Sequence, residues 1–355
     1  MNGRWVKETK RSAAAVPDAA ASAPRLQPPL GQGPVLEAWL KRARRLELPH
    51  ALVVEGPPGI GKTTVLRWLT AALLCPSDLD QDGPCGVCRT CARIASDSHA
   101  DVQWLERARD EQDKEDNKHL KKSFHVISIE QVRAAQDVLQ RCAVEGRARV
   151  LRIDDADCML DPAQNALLKT LEEPGAATFL LLEATTPEHL LPTVRSRVQR
   201  LRVLPLPDEG IEREIRRRSP AVGDRLRGAI AMARGSLGLA MLACTEQAVQ
   251  LHDLVLAVLA TNKGLRPVAT ARAVLEGCKD LVTALDRARL FLWLLRAEIR
   301  QRRDGLAAAA AGAYPAPAEP WTTWLELTLA AEQDLILQIP PEQVLCACLL
   351  QFEAA

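Results

Sequence analysis

Short apolar runs alternate with helical patterns over the first half of the chain. Ala51–Glu55 is one such run, ending in a glycine-rich turn, and Thr63–Leu74 then carries apolar residues at helical spacing. Further runs stand at Val126–Ile129, Val150–Ile153, Thr178–Leu182 and Leu201–Leu204, most of them separated by helical stretches. This alternation predicts an α/β fold, a mainly parallel sheet covered by helices. Residues 34–45 read as a basic helix whose stripe is Leu36, Trp39 and Leu40. A helix over 162–173 is expected to start with Asp161 as its cap and Pro162 in its first turn, and to stop at Pro174-Gly175. Pro205 and Pro207 mark a boundary, beyond which the pattern is almost wholly helical. A small unit spans 208–249, broken at Gly235-Ser236. A larger helical unit spans 250–355 and holds a Gly-, Ala- and Pro-rich loop at 304–320 before the pattern resumes at Trp321.

The length, 355 residues, suits two or three domains, and 47% apolar residues can build a substantial core. With only 3% aromatics, that core must come from Leu, Val, Ala and Ile. A net charge of +1 excludes steering of nucleic acid by the field of the whole chain and leaves a local basic face as the alternative. Residues 1–30, rich in Ala, Pro and basic residues, are expected to form a disordered tail, and the charged stretch 106–122 a solvated loop. The N-terminus lacks an apolar signal core, and no run reaches the roughly 18 apolar residues of a membrane span. The expected setting is cytoplasmic and reducing, where disulfides are disfavoured and clustered cysteines point to metal.

Chemistry concentrates in three places. Gly56-Pro57-Pro58-Gly59-Ile60-Gly61-Lys62-Thr63 is a complete phosphate-loop pattern between an expected strand and an expected helix. Its glycines permit a tight turn whose backbone N–H groups face phosphate oxygens, Lys62 reaches the terminal phosphates, and Thr63 offers an oxygen to magnesium. Thr64 joins the same cradle from the first helical turn. Val150–Ile153 ends in Asp154-Asp155. Asp154 is the second candidate magnesium ligand, and Asp155 stands where many such folds place a Glu that positions water. An acidic strand end facing solvent is the plainer reading. Third, Cys75, Cys85, Cys88 and Cys91 are spaced so that their thiolates can turn onto one centre. Four thiolates without a nearby His suit a closed structural zinc site, with buried free thiols or an iron–sulfur centre as alternatives. Cys142, Cys158, Cys244, Cys278, Cys346 and Cys348 read as core residues.

Several stretches together resemble the clamp-loader subunits of bacterial DNA polymerase III, within the AAA+ family and most of all the delta-prime type. They are Leu48-Pro49-His50-Ala51-Leu52, the phosphate loop, the four cysteines, His99-Ala100-Asp101-Val102, and Ile127–Arg133. Asn165-Ala166-Leu167-Leu168-Lys169-Thr170-Leu171-Glu172-Glu173-Pro174, Ala184-Thr185-Thr186 and Arg195-Ser196-Arg197 complete the set. The resemblance is strong over residues 31–207 and weak beyond. It implies an AAA+ nucleotide-binding module at 31–207 with a zinc insertion at 75–91, a helical lid at 208–249 and a collar for oligomerisation at 250–355. It implies a five-membered ring with gamma/tau and delta subunits, which uses ATP to open a sliding clamp and load it onto primed DNA. Thr185 or Thr186 falls at the position that senses the terminal phosphate, although a strand-end Thr satisfying backbone is the plainer reading. Ser196-Arg197-Val198 matches a Ser-Arg-Cys motif that lends an arginine finger to a neighbour's ATP. Arg197 also fits a basic surface run with Arg195, Arg200 and Arg202. Two departures stand out: Gly238 replaces the lid arginine of the motor subunits, and Asp155 replaces Glu. The resemblance therefore implies a site that binds nucleotide but hydrolyses it poorly. A gamma/tau-like motor that hydrolyses its own ATP is the alternative.

Overall fold

A computed structural model describes residues 25–77, 82–106, 126–139, 143–219, 223, 225–260, 264–309, 320–336 and 339–354. The first part holds α1 (Gly33–Arg44), β1 (Ala51–Glu55), α2 (Lys62–Leu74), α3 (Arg89–Ala95), β2 (Val102–Leu105), α4 (Ile129–Leu139), β3 (Arg149–Ile153), α5 (Asp161–Glu172), β4 (Thr178–Ala184), α6 (Pro192–Arg195) and β5 (Gln199–Arg202). The strands form one parallel sheet in the order β2-β3-β4-β1-β5. β4 is buried along its whole length and β1 nearly so, as central strands covered on both faces must be, and both read as mainly apolar runs, with Glu183 the one carboxylate inside β4. One face packs Leu52, Val54, Leu181 and Leu201 against Val65, Leu66 and Leu69 of α2. The other packs Val53, Leu151, Ile153 and Leu182 against α4 and α5.

Three helices follow, α7 (Asp208–Arg218), α8 (Arg225–Ala233) and α9 (Leu237–Ala243), around a small core of Leu206, Ile211, Ile215, Leu226 and Ile230. The last five are α10 (Glu246–Ala260), α11 (Pro267–Val274), α12 (Leu281–Ala309), α13 (Trp321–Ile336) and α14 (Pro341–Ala354). They share a separate core in which Trp324 stacks on Phe352. The chain thus folds as an α/β module with a parallel sheet, followed by a small helical unit and a larger helical C-terminal region. Among the described residues no single helix is long and apolar enough to cross a membrane.

The structure departs from the sequence expectations at several points. The run Val126–Ile129 makes only an isolated bridge, Ile127 to Met159, before α4 begins. Ser128 explains why: its N–H donates to Gln131 Oε1 and its Oγ accepts from the Gln131 N–H, a reciprocal cap that starts a helix. The edge strand β2 was not anticipated, because Val102–Leu105 is half-exposed and carries a Gln between apolar residues. The run near Leu201 pairs two residues earlier than expected, as β5. Asp161 lies inside the first turn of α5, where its charge suits the helix dipole, while Leu160 occupies the cap position. Residues 304–309 continue α12 instead of forming a loop, in keeping with their alanines, the best helix formers. At the N-terminal end, Leu26 is buried and its N–H donates to Gly86 O at 3.1 Å, so the segment assigned to a tail is anchored at that residue. Most of the charged stretch 106–122, Cys142, residues 1–24 and residues 310–319 lie outside the described residues. Of the cysteines read as core, Cys348 is buried, while Cys158, Cys244, Cys278 and Cys346 are half-buried.

Candidate nucleotide site and metal centre

The phosphate loop leaves the C-terminal end of β1 and feeds α2. Gly59 sits at φ +67°, where a side chain would be strained, and a Cβ there would also meet Leu239 N and Ser236 Oγ at 2.8 Å. Lys62, 3% exposed, is aimed inward: its Nζ donates to Thr185 Oγ1 at 3.0 Å and to Pro57 O at 3.1 Å. The loop lysine and the candidate sensor threonine thus meet across 123 residues of chain. Ile60 is buried beneath the loop. Thr186 does not reach Lys62 by any hydrogen bond among the described residues. Its N–H and that of Thr185 donate to Asp157 Oδ2, at 2.7 and 3.0 Å, so Asp157 holds the turn after β4 in place. Burial raises the Asp157 carboxyl above its ordinary value.

Glu183, on β4, is the residue that motif reading missed. Its Oε2 accepts from Thr63 Oγ1 at 2.8 Å, and its Oε1 lies 3.7 Å from Lys62 Nζ. Burial pushes the Glu183 carboxyl up to about 6, against the pull of Lys62 and Thr63. Burial also lowers Lys62, against the pull of Glu183, Asp157 and Asp155. For both partners desolvation outweighs mutual attraction, so this buried pair contributes little to stability. The signal in the sequence was a single carboxylate inside the apolar run Phe179–Ala184.

Asp154 is buried and fully engaged. Arg152 grips both its oxygens, Nε to Oδ1 at 3.0 Å and Nη2 to Oδ2 at 3.1 Å, and Trp104 Nε1 donates to Oδ2 at 2.9 Å. Arg152 also donates to Asp97 Oδ1 at 2.8 Å and lies over the Trp104 ring. Asp155 takes a left-handed backbone conformation at φ +50° and acts on both Lys62 and Glu183 through its charge.

The small helical unit closes over the loop. The Gly238 N–H donates to Gly59 O at 2.9 Å, and Ser236 Oγ donates to Pro58 O at 2.8 Å. A Cβ at Gly238 would come within 2.7 Å of Gly59 Cα, so no larger residue fits without moving α9 or the loop. On the opposite side of the module, Arg197 is partly exposed. Its Nη2 donates to Glu172 Oε1 at 2.7 Å and its Nη1 to Thr193 O at 2.9 Å. Arg200 pairs with Glu55, while Arg195 and Arg202 are exposed.

The four cysteines converge: the sulfurs of Cys75, Cys85, Cys88 and Cys91 all lie within 4.8 Å of one another. That spacing fits one tetrahedral metal ion. Arg44 fastens the loop by donating to Cys75 O at 2.6 Å and Ser77 O at 2.5 Å, and Cys88 caps α3 through the Cys91 N–H. Gly86, at φ +73°, makes the turn between ligands, and a Cβ there would meet Leu26 O at 2.9 Å. A hydrogen bond from the Cys91 thiol brings Cys75 down to about 3, and the same bond raises Cys91.

The parallel sheet and the phosphate-loop pattern leading into α2, with Thr185 just beyond the end of β4, give the arrangement of a P-loop module. Comparison with known proteins narrows the class. The family described as DNA polymerase III, delta subunit, matches residues 31–207. The delta-prime subunit of Escherichia coli is 32% identical over 192 residues, covering 54% of this chain and 53% of that protein. The delta-prime subunit of Pseudomonas aeruginosa is 35% identical over 159 residues, 45% of this chain and 44% of that one. DNA polymerase III subunit tau of Salmonella typhimurium is 30% identical over 186 residues, 52% of this chain and 26% of its own. A gamma subunit-related protein from Thermotoga maritima overlays 89% of this chain and 99% of its own, with a TM-score of 0.45 and 17% identity. The chain is a homologue of the bacterial DNA polymerase III delta-prime and gamma/tau clamp-loader subunits, in the AAA+ family. It spans about half the length of the delta-prime relatives it matches.

Proposed function

We propose that this chain works as a delta-prime-type clamp-loader subunit in the cytoplasm. It would sit in a ring with gamma/tau and delta subunits, support ATP-driven loading of a sliding clamp onto primed DNA, and touch that DNA through its phosphate backbone. The observation that carries this reading is the lid contact. Gly238 stands where a motor subunit has its lid arginine, and its backbone is bonded directly to Gly59 of the phosphate loop. A self-contained hydrolase would need a charged side chain there, and the packing leaves no volume for one. Arg197, by contrast, lies on the surface, paired with Glu172. In the ring it would exchange Glu172 for the developing charge on a neighbouring subunit's phosphoryl group.

The nucleotide site would bind ATP with magnesium through Gly56–Lys62, Thr63, Thr64, Thr185 and Thr186, with Asp155 as a weak water-positioning group. The cysteine centre would hold structural zinc, because four converging thiolates and no open ligand position suit that ion. One observation favours the motor alternative: Lys62 and Thr185, the two groups expected to meet the terminal phosphate, stand together at one site.

One assay separates the two readings: DNA- and clamp-stimulated phosphate release from rings carrying either Arg197→Ala or Lys62→Ala. The delta-prime reading expects Arg197→Ala to fold, to enter the ring and to lower turnover, since an arginine finger is worth about 10³–10⁵ in rate at the site it serves. Lys62→Ala should do much less. Turnover abolished by Lys62→Ala and spared by Arg197→Ala would establish the motor.

A further inference from the structure

We infer that Glu183, on β4, is the carboxylate that faces magnesium in this site, in place of Asp154 on β3. The inference rests on the nucleotide-binding reading above. A carboxylate serving a P-loop magnesium must meet the loop threonine whose oxygen the ion shares, and it must keep an oxygen disposable. Asp154 meets neither condition. Both its oxygens are taken, by Arg152 Nε and Nη2 and by Trp104 Nε1. Arg152 is fully buried and held from its far side by Asp97, which Arg67 also grips at 2.5 Å. Releasing Asp154 to a metal would strand a buried guanidinium, a costly change.

Glu183 meets both. Its Oε2 accepts the Thr63 hydroxyl proton at 2.8 Å, which leaves the lone pairs of Thr63 Oγ1 for an ion. Its Oε1 is 3.7 Å from Lys62 Nζ, an ion-pair separation and not a direct hydrogen bond. Lys62 is meanwhile satisfied by Pro57 O and Thr185 Oγ1, so Oε1 can turn to a cation without orphaning the lysine. β4 is the direct neighbour of β1, with Glu183 in register with Val54 just before the phosphate loop, whereas β3 lies one strand farther away. The longer side chain of Glu spans the gap from β4 to Thr63.

The test uses the full chain and a fluorescent ATP analogue, with anisotropy titrations in magnesium and in EDTA. The wild type should bind more tightly in magnesium. Glu183→Gln, nearly isosteric, should lose about ten- to a hundredfold of that magnesium-dependent gain while its affinity in EDTA stays close to wild type. Asp154→Asn should keep the gain. Titration of Mn²⁺ followed by its electron paramagnetic resonance signal, with the analogue bound, should show the same ranking, and thermal unfolding checks that each variant is folded. If Asp154→Asn does not fold, the Glu183→Gln titrations decide alone. A Glu183→Gln protein that retains the full magnesium gain overturns the assignment. So does one that binds more tightly in both buffers, since Glu183 would then be a competitor of the phosphates. If the wild type and Glu183→Gln both fail to bind the analogue in either buffer, the nucleotide-binding reading itself falls, and the assignment falls with it.

Discussion

The cysteine centre and the phosphate site are built in opposite ways. The four cysteines come from one short stretch, residues 75–91, and their sulfurs all lie within 4.8 Å of one another. The phosphate site is gathered from distant parts of the chain. Lys62 and Thr63 follow β1, Asp154 and Asp157 follow β3, Glu183 and Thr185 come from the end of β4, and Gly238 from the lid. Its groups also satisfy one another, so that lysine, threonine and carboxylates already form a closed network. A local site stands or falls with its ligand. A dispersed site is held by the fold, and its chemistry depends on which internal partner yields when a ligand arrives.

The largest effect should follow from breaking the local site. Cys88→Ser removes one of four ligands, and because structural zinc binding is itself folding energy, on the order of 10 kcal/mol for small metal modules, metal and local fold should be lost together. Elemental analysis should fall from about one zinc per chain to near none, and amide exchange should accelerate over residues 82–95 and at Leu26, whose N–H bonds to Gly86 O. A chelator on the wild type should do the same. The phosphate-site core should stay protected, because β1 and β4 do not depend on the metal.

Lys62→Ala comes next. A hydrogen bond to a charged group is worth about 1.5–3 kcal/mol, so nucleotide affinity should drop by about ten- to a hundredfold by calorimetry. The same change leaves Glu183 buried without its cation, so a lower melting temperature would accompany it. Gly238→Ala probes the contact between lid and loop. Its Cβ would collide with Gly59 backbone at 2.7 Å, and overpacking of this kind costs about 1–3 kcal/mol. Exchange at the Gly238 and Leu239 amides should rise while the zinc content is unchanged. If Gly238→Ala is as stable as the wild type and exchanges no faster, the lid is not docked on the loop. The smallest effect is expected from Asp157→Asn, which keeps one acceptor for the Thr185 and Thr186 N–H groups but loses the charge. A cost of about 1 kcal/mol in denaturant unfolding follows from weakening two hydrogen bonds to a charged group.

Much of this protein was determined by its sequence alone, wherever the information is local. A complete phosphate-loop pattern, cysteines at two-residue gaps, mainly apolar runs for the central strands β1 and β4, and proline boundaries each act over a few residues. They were legible because the backbone conformation or ligand geometry they impose is short-ranged. The failures share a cause. β2 was overlooked because an edge strand buries too little to enforce an apolar run, and Val126–Ile129 was misread because the Ser128–Gln131 cap outweighed its β-branched residues. Which polar groups meet was decided only by tertiary structure. Strand order puts Glu183 beside Thr63 and Lys62, and a buried arginine three strands from β5 claims Asp154. The packing of the lid also leaves room for glycine and nothing larger at 238. Pairing of buried charges depends on distance and dielectric across the folded sheet, and neither quantity is written in the spacing of residues along the chain.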